Sequence, residues 1–101
     1  MPSLQIDVPH ALSTEDATTR MKGLTSRLRA RYAGKIDDVD EWWAKDRGEF
    51  TISISGVKVK GSADVASDSV RMRLDLPMMA MMFKSTIEDS IRSEVKACLA
   101  G

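Results

Sequence analysis

The sequence predicts a single α+β domain in the order β-α-β-β-β-β-α, with an antiparallel sheet and two helices packed on one face. Three observations predict it. Apolar and polar residues alternate in steps of two through residues 50–76, which marks strands with one dry face. Apolar residues recur at steps of three or four through 17–32 and of four through 79–99, which marks two amphipathic helices. Two hairpin loops between the strands keep the alternation on a common face.

The elements follow in order. Leu4, Ile6 and Val8 alternate with polar residues, giving a short strand that Pro9 ends. Ser13 fits an N-cap, with Glu15 and Asp16 in the first turn beside the positive end of the helix dipole. Ala17, Met21, Leu24, Leu28 and Tyr32 then form one stripe of a helix of about five turns, and Gly34 is its stop signal. The segment 36–46 begins acidic, contains Trp42-Trp43, and reads as a strand. Phe50, Ile52 and Ile54 form the next. A two-residue loop at Ser55-Gly56 sets Ile54 opposite Val57, Ile52 opposite Val59 and Phe50 opposite Gly61. A four-residue loop at 66–69 sets Val65 opposite Val70, Ala63 opposite Met72 and Gly61 opposite Leu74. A one-residue slip in either hairpin would turn apolar side chains toward water. Pro77 opens the closing helix, whose core stripe is Met79, Phe83, Ile87, Ile91, Val95 and Leu99. Such a one-sided sheet needs a cover, and the two helices are the cover available.

Composition narrows the function classes. The 101 residues carry 15 basic and 15 acidic side chains, so the formal net charge is zero, which argues against nucleic acid as a partner. Cys98 is the only cysteine, too few for a disulfide framework or a zinc site, and the chain reads as cytoplasmic. The first residues lack the pattern of a secretory leader, and no apolar run approaches the ~20 residues that span a bilayer.

Catalytic signatures are absent: there is no phosphate loop, paired-histidine metal motif or nucleophile elbow. The chain is therefore read as a non-enzymatic binding protein without cofactor or metal. His10, the one histidine, fits a hydrogen-bonded closure of the strand-to-helix turn better than a lone general base. Asp37-Asp38-Val39-Asp40-Glu41 lacks the turn glycine of a calcium loop and fits a solvated strand edge. Arg20, Arg27 and Arg31 flank the first helix stripe, where long cations lay their stems on the core and keep their charges in water. Gly61 and Ala63 leave little volume at the sheet centre, to be filled by close packing or left as a cavity.

Candidate binding residues are His10, the tryptophans and the methionine run. Trp42 and Trp43 must point to opposite sheet faces, so one is left for the surface or an interface. Met78-Met79-Ala80-Met81-Met82-Phe83 is apolar nearly all round a helix, more than a core stripe uses. Spare thioethers suit an irregular apolar partner; a helix start tucked under the first strand and first helix would instead use them as core.

The chain resembles the polyhydroxyalkanoic acid system protein family, small bacterial proteins associated with polyhydroxyalkanoate storage. The resemblance runs over nearly the whole chain. It rests on the opening strand into Pro9-His10-Ala11-Leu12, on Ala17 and Leu28, on Trp42, Phe50, Gly56 and Gly61, and on Leu76-Pro77, Phe83-Lys84, Ile87 and Ile91. It implies an accessory role at a storage granule or its coat proteins. A small hydrophobic-ligand carrier of the helix-grip type and a homodimeric structural module are the alternatives.

Overall fold

The computed structural model describes residues 3–100; Met1, Pro2 and Gly101 lie outside the described residues, and with them the first positions of the leader-free N-terminus expected above. Five strands form one antiparallel sheet: β1 (Ser3–Pro9), β2 (Ile36–Ala44), β3 (Arg47–Ile54), β4 (Val57–Val65) and β5 (Ser69–Asp75), in spatial order β1-β5-β4-β3-β2. Helices α1 (Thr14–Met21) and α2 (Leu24–Arg31) carry the chain from one sheet edge to the other, and α3 (Lys84–Ala100) returns against β1, α1 and α2.

Both predicted registers are present. Ile54 pairs with Val57, Ile52 with Val59 and Phe50 with Gly61. Val65 pairs with Val70, Ala63 with Met72 and Gly61 with Leu74. The tight turn takes positive φ at Ser55 and Gly56, the backbone hand that a two-residue hairpin requires. Ser13 is the N-cap of α1, its Oγ accepting from the Asp16 amide at 3.1 Å.

The first helical stretch is two helices rather than one of five turns. It breaks at Lys22–Gly23, where Gly23 caps α2 through its backbone alone. The stripe nevertheless stays in phase, and Ala17, Met21, Leu24 and Leu28 are all buried. They meet Leu4, Ile6 and Val8 of β1, Val70, Met72 and Leu74 of β5, and Val95, Cys98 and Leu99 of α3 in one core.

The sheet centre is closed by an aromatic ring. A Cβ placed on Gly61 would lie 2.5 Å from Phe50 Cε2 and 2.8 Å from Leu74 Cδ2, so these two side chains occupy the space that a larger residue would take. Trp43 does the same at Gly48, its directly paired neighbour, where a Cβ would meet the indole at 2.6 Å. In both pairs a glycine accepts the ring of the adjacent strand.

The closing helix departs from expectation at its start. Met78–Phe83 is a 3-10 helix and α3 begins only at Lys84. Met79 and Phe83, expected on the core stripe, are exposed. A 3-10 helix repeats every three residues rather than 3.6, so a stripe of four-residue steps does not hold one face through it. From Ile87 onward α-helical phase returns, with Ile87 and Ile91 half-buried and Val95 and Leu99 buried.

Candidate functional site

The end of the sheet where β5 stops carries the exposed apolar surface. Asp75, the last residue of β5, pairs with Ser3 on one side and Lys60 on the other. The β3–β4 hairpin continues beyond that level, so Val57 and Val59 of β4 have no β5 neighbour. At the same level the chain leaves β5 through Leu76-Pro77 into the 3-10 helix, which an Ala80 amide to Pro77 carbonyl bond of 2.9 Å closes. Pro77 has no amide hydrogen and sits at the N-cap, which suits a helix starting straight from a strand.

Within this turn Met78, Met79, Met82 and Phe83 are 79%, 70%, 85% and 60% exposed. Ala80 and Met81 turn inward and pack against the core, anchoring the turn. At roughly 150–200 Å² for a large side chain, the four exposed residues present about 500 Å² of apolar surface. A typical monomer's largest patch is ~300–600 Å² and is often functional. Among the described residues, Ile54 on the projecting hairpin is the other exposed large aliphatic residue at this end of the sheet.

The remaining candidate residues lie elsewhere. Trp42 is on β2, three strands away from β5, and faces the outer side of the sheet with 57% of its surface exposed. It borders an open groove of about 370 Å³ with Asp40, Glu49, Thr51 and Lys60. A second outer groove, about 410 Å³, lies among Lys58, Lys60, Arg73 and Asp75. Trp43 points to the inner side, half-buried over Gly48, and its Nε1 donates to Glu41 Oε2 at 2.8 Å. Glu41 also accepts from Thr25 Oγ1 at 3.0 Å, so this edge-strand acid ties α2 to β2. His10 stands at the opposite end of β1 from the methionine turn. Its Nδ1 accepts from the Leu12 amide at 3.1 Å and its Nε2 donates to the Ala66 carbonyl at 2.9 Å, which joins the β1–α1 turn to the β4–β5 loop. Both ring nitrogens are thus occupied by backbone. The fold therefore does not bring His10, the tryptophans and the methionines into one site.

One buried group escapes the sequence reading. Glu94 is almost fully enclosed, yet Arg27 reaches its Oε1 at 3.3 Å and Arg31 its Oε2 at 3.2 Å. The sequence expectation leaves these arginines ending in water; both do stay exposed, and they also close on a carboxylate of α3 that the expectation does not include. The signal is present in spacing: Ile91, Glu94, Val95, Cys98 and Leu99 follow the three-and-four rhythm of a buried face, with Glu94 upon it. Cys98 lies one turn further. Burial pushes its thiol up from the ordinary value, Arg27 opposes that shift and Glu94 adds to it.

Among the described residues no cluster of three or more His, Cys, Asp or Glu could hold a metal ion, and no helix is long and apolar enough to cross a membrane.

The architecture is shared with solved structures. TTHA0849 from Thermus thermophilus superposes with a TM-score of 0.59 at 11% identity, over 98% of this chain and 92% of that one. Ara h 8.0201 gives 0.54 at 8% identity, over 99% of both chains. The di-domain ARO/CYC BexL from the BE-7585A biosynthetic pathway gives 0.53 at 11% identity, over 99% of this chain and 50% of that one. At these identities the likeness is one of fold, a curved antiparallel sheet gripped by a long C-terminal helix. No curated protein matches the chain in sequence. The family model described as "Putative polyhydroxyalkanoic acid system protein" matches residues 4–99, and the chain belongs to that family.

Proposed function

We propose that this protein is a non-enzymatic accessory protein of polyhydroxyalkanoate storage that acts in the cytoplasm and contacts the apolar surface of the polymer granule. The single observation that carries the reading is the concentration of exposed apolar side chains in one turn, Met78, Met79, Met82 and Phe83. Family membership supports polyhydroxyalkanoate storage as the setting of that contact.

The magnitudes fit reversible contact. Covering about 500 Å² at about 25 cal/mol per Å² yields roughly 12 kcal/mol before costs. Association costs roughly 4–15 kcal/mol in lost freedom, the same order as the gross gain, so the net contact is weak and reversible. Unbranched thioethers suit such a partner, because a polyester surface has no fixed shape to complement and methionine adapts to irregular apolar contacts.

The alternative of a small-ligand carrier draws support only from the fold. Against it, Phe50 and Leu74 occupy the space above Gly61 at the sheet centre. The homodimer alternative is served by the same exposed turn and is separated from granule contact by the test below.

The test is sedimentation with amorphous polyhydroxyalkanoate particles, comparing the native chain with the triple variant Met78→Ser, Met79→Ser, Met82→Ser. The native chain is expected in the pellet, and the variant to bind at least about tenfold more weakly. Folding should be unaffected, since exposed positions contribute little to stability. A native chain that stays in the supernatant sinks the proposal. A chain that self-associates through this turn and leaves the particles bare supports the dimer instead.

A further inference from the structure

Six of the seven methionines lie among the described residues, and they are not distributed as a core would use them. Met21 and Met72 are each 1% exposed, and Met81 is half-buried. Met78, Met79 and Met82 stand in water within five consecutive residues. Thioether sulfur is oxidised by hydroperoxides where they can reach it, and the product is a polar, chiral sulfoxide. The fold therefore separates guarded from reactive sulfur, and gathers the reactive sulfur on its largest apolar turn.

We propose that Met78, Met79 and Met82 form a peroxide-sensitive switch, in which oxidation turns the exposed turn polar and abolishes its apolar contacts. The chemistry balances at each residue. The sulfur lone pair attacks one oxygen of hydrogen peroxide, the O–O bond breaks, the S–O bond forms, and water leaves after proton transfer. Methionine loses two electrons and the peroxide gains them. The reverse step consumes two electrons from a thiol-dependent sulfoxide reductase and releases the oxygen as water. Ala80 and Met81 hold the turn to the core, so the change in polarity is confined to the outward side.

The other sulfur chemistry of the chain does not compete. Cys98 is buried on the inner face of α3, and burial pushes its thiol away from the reactive thiolate form, whereas the three thioethers stand in water. The consequence for storage rests on the granule-contact reading; the oxidation and the loss of apolar character do not.

Three measurements on the full chain separate these statements. Peptide mapping after graded hydrogen peroxide should find Met78, Met79 and Met82 oxidised at least about tenfold faster than Met21 and Met72. Equal rates would overturn the proposal. On a phenyl matrix the oxidised chain should elute well ahead of the reduced chain. The variant Met78→Leu, Met79→Leu, Met82→Leu should keep its retention after the same treatment, since leucine is apolar and inert to peroxide. An unchanged elution of the oxidised native chain, or an equal shift in the leucine variant, would also overturn it. Third, peroxide should lower binding to polyhydroxyalkanoate particles at least about tenfold in the native chain and leave the leucine variant bound. If the reduced native chain ignores the particles while the first two results hold, the granule reading fails and the switch stands.

Discussion

Strand β5 and the turn that follows it are both rich in apolar side chains, yet they end in opposite environments. In β5 the apolar residues Val70, Met72 and Leu74 alternate with Ser69, Arg71, Arg73 and Asp75, and every apolar one is buried. In the turn the apolar residues are consecutive, and the side chains of a 3-10 helix radiate in three directions. Ala80 and Met81, which point in two of these directions, pack against the core, while Met78, Met79, Met82 and Phe83 stay exposed. Alternation assigns each residue to a face, whereas an unbroken apolar run assigns none and leaves surface behind. Hydrophobicity is common to both segments, and the difference in period separates the buried one from the largely exposed one.

The strongest way to break this comparison is to truncate one methionine from each segment. Met72→Ala removes a fully enclosed side chain between β1 and β4 and is expected to cost about 3 kcal/mol, within the usual range for buried methionine. Met82→Ala should fall within about 0.5 kcal/mol of the native chain. Urea denaturation midpoints measure both. Similar losses from the two substitutions would mean that the turn is packed, and the contact surface would vanish with that result.

A second expected effect, somewhat smaller, concerns the packed side of the molecule. Glu94 is enclosed between α2 and α3, but its partners Arg27 and Arg31 remain about half exposed, so water shares in the ion pair. Replacing both arginines by alanine leaves a buried carboxylate without a counter-charge. Removing the partners of a fully buried ion costs ~3–5 kcal/mol; with exposed arginines about 2 kcal/mol is expected. Glu94→Leu removes the charge along with the need for partners and should cost less than the double arginine change. Thermal denaturation of the three proteins tests the order. A double variant as stable as the native chain would show that α2 and α3 are joined by their apolar stripes alone.

These sites also mark what is legible in the sequence. Both hairpin registers are, because a slip of one residue would expose Ile52, Ala63 and Met72 together. The Ser13 cap is, because capping is local and needs only a hydroxyl followed by helix. The 3-10 start of the closing helix is not. Its run of apolar side chains carries no phase, so α-helical and 3-10 windings satisfy it equally, and the tertiary contacts of Ala80 and Met81 accompany the observed one. The Glu94 clamp is hidden for a different reason. A charged residue on an apolar face is read as solvated unless its counter-charges are seen, and those lie 63 and 67 positions away along the chain. Of the candidate surface residues, the division of Trp42 from Trp43 follows from strand alternation, whereas the distance between His10 and the methionine turn depends on strand order.

The smallest expected effects come from the two glycines that carry aromatic rings, and they sharpen the contrast between centre and margin. Substitution of glycine by alanine in extended backbone gains about 0.4–1 kcal/mol by restricting the unfolded chain. Against this stands the displacement of whatever occupies the Cβ position, about 1–3 kcal/mol in a packed core. At Gly61 the occupants are Phe50 and Leu74, both buried, and neither can move without disturbing the sheet centre. The steric cost should win, giving a net loss of about 1–2 kcal/mol. At Gly48 the occupant is Trp43, half-buried on the edge strand β2, whose indole can tilt toward solvent. There the two contributions nearly cancel, and Gly48→Ala should change stability by less than about 0.5 kcal/mol while shifting tryptophan emission to longer wavelength. Denaturation curves followed by fluorescence read both quantities at once. If Gly48→Ala destabilises as much as Gly61→Ala, the margin of the sheet is as tightly held as its centre, and Trp43 belongs to the core.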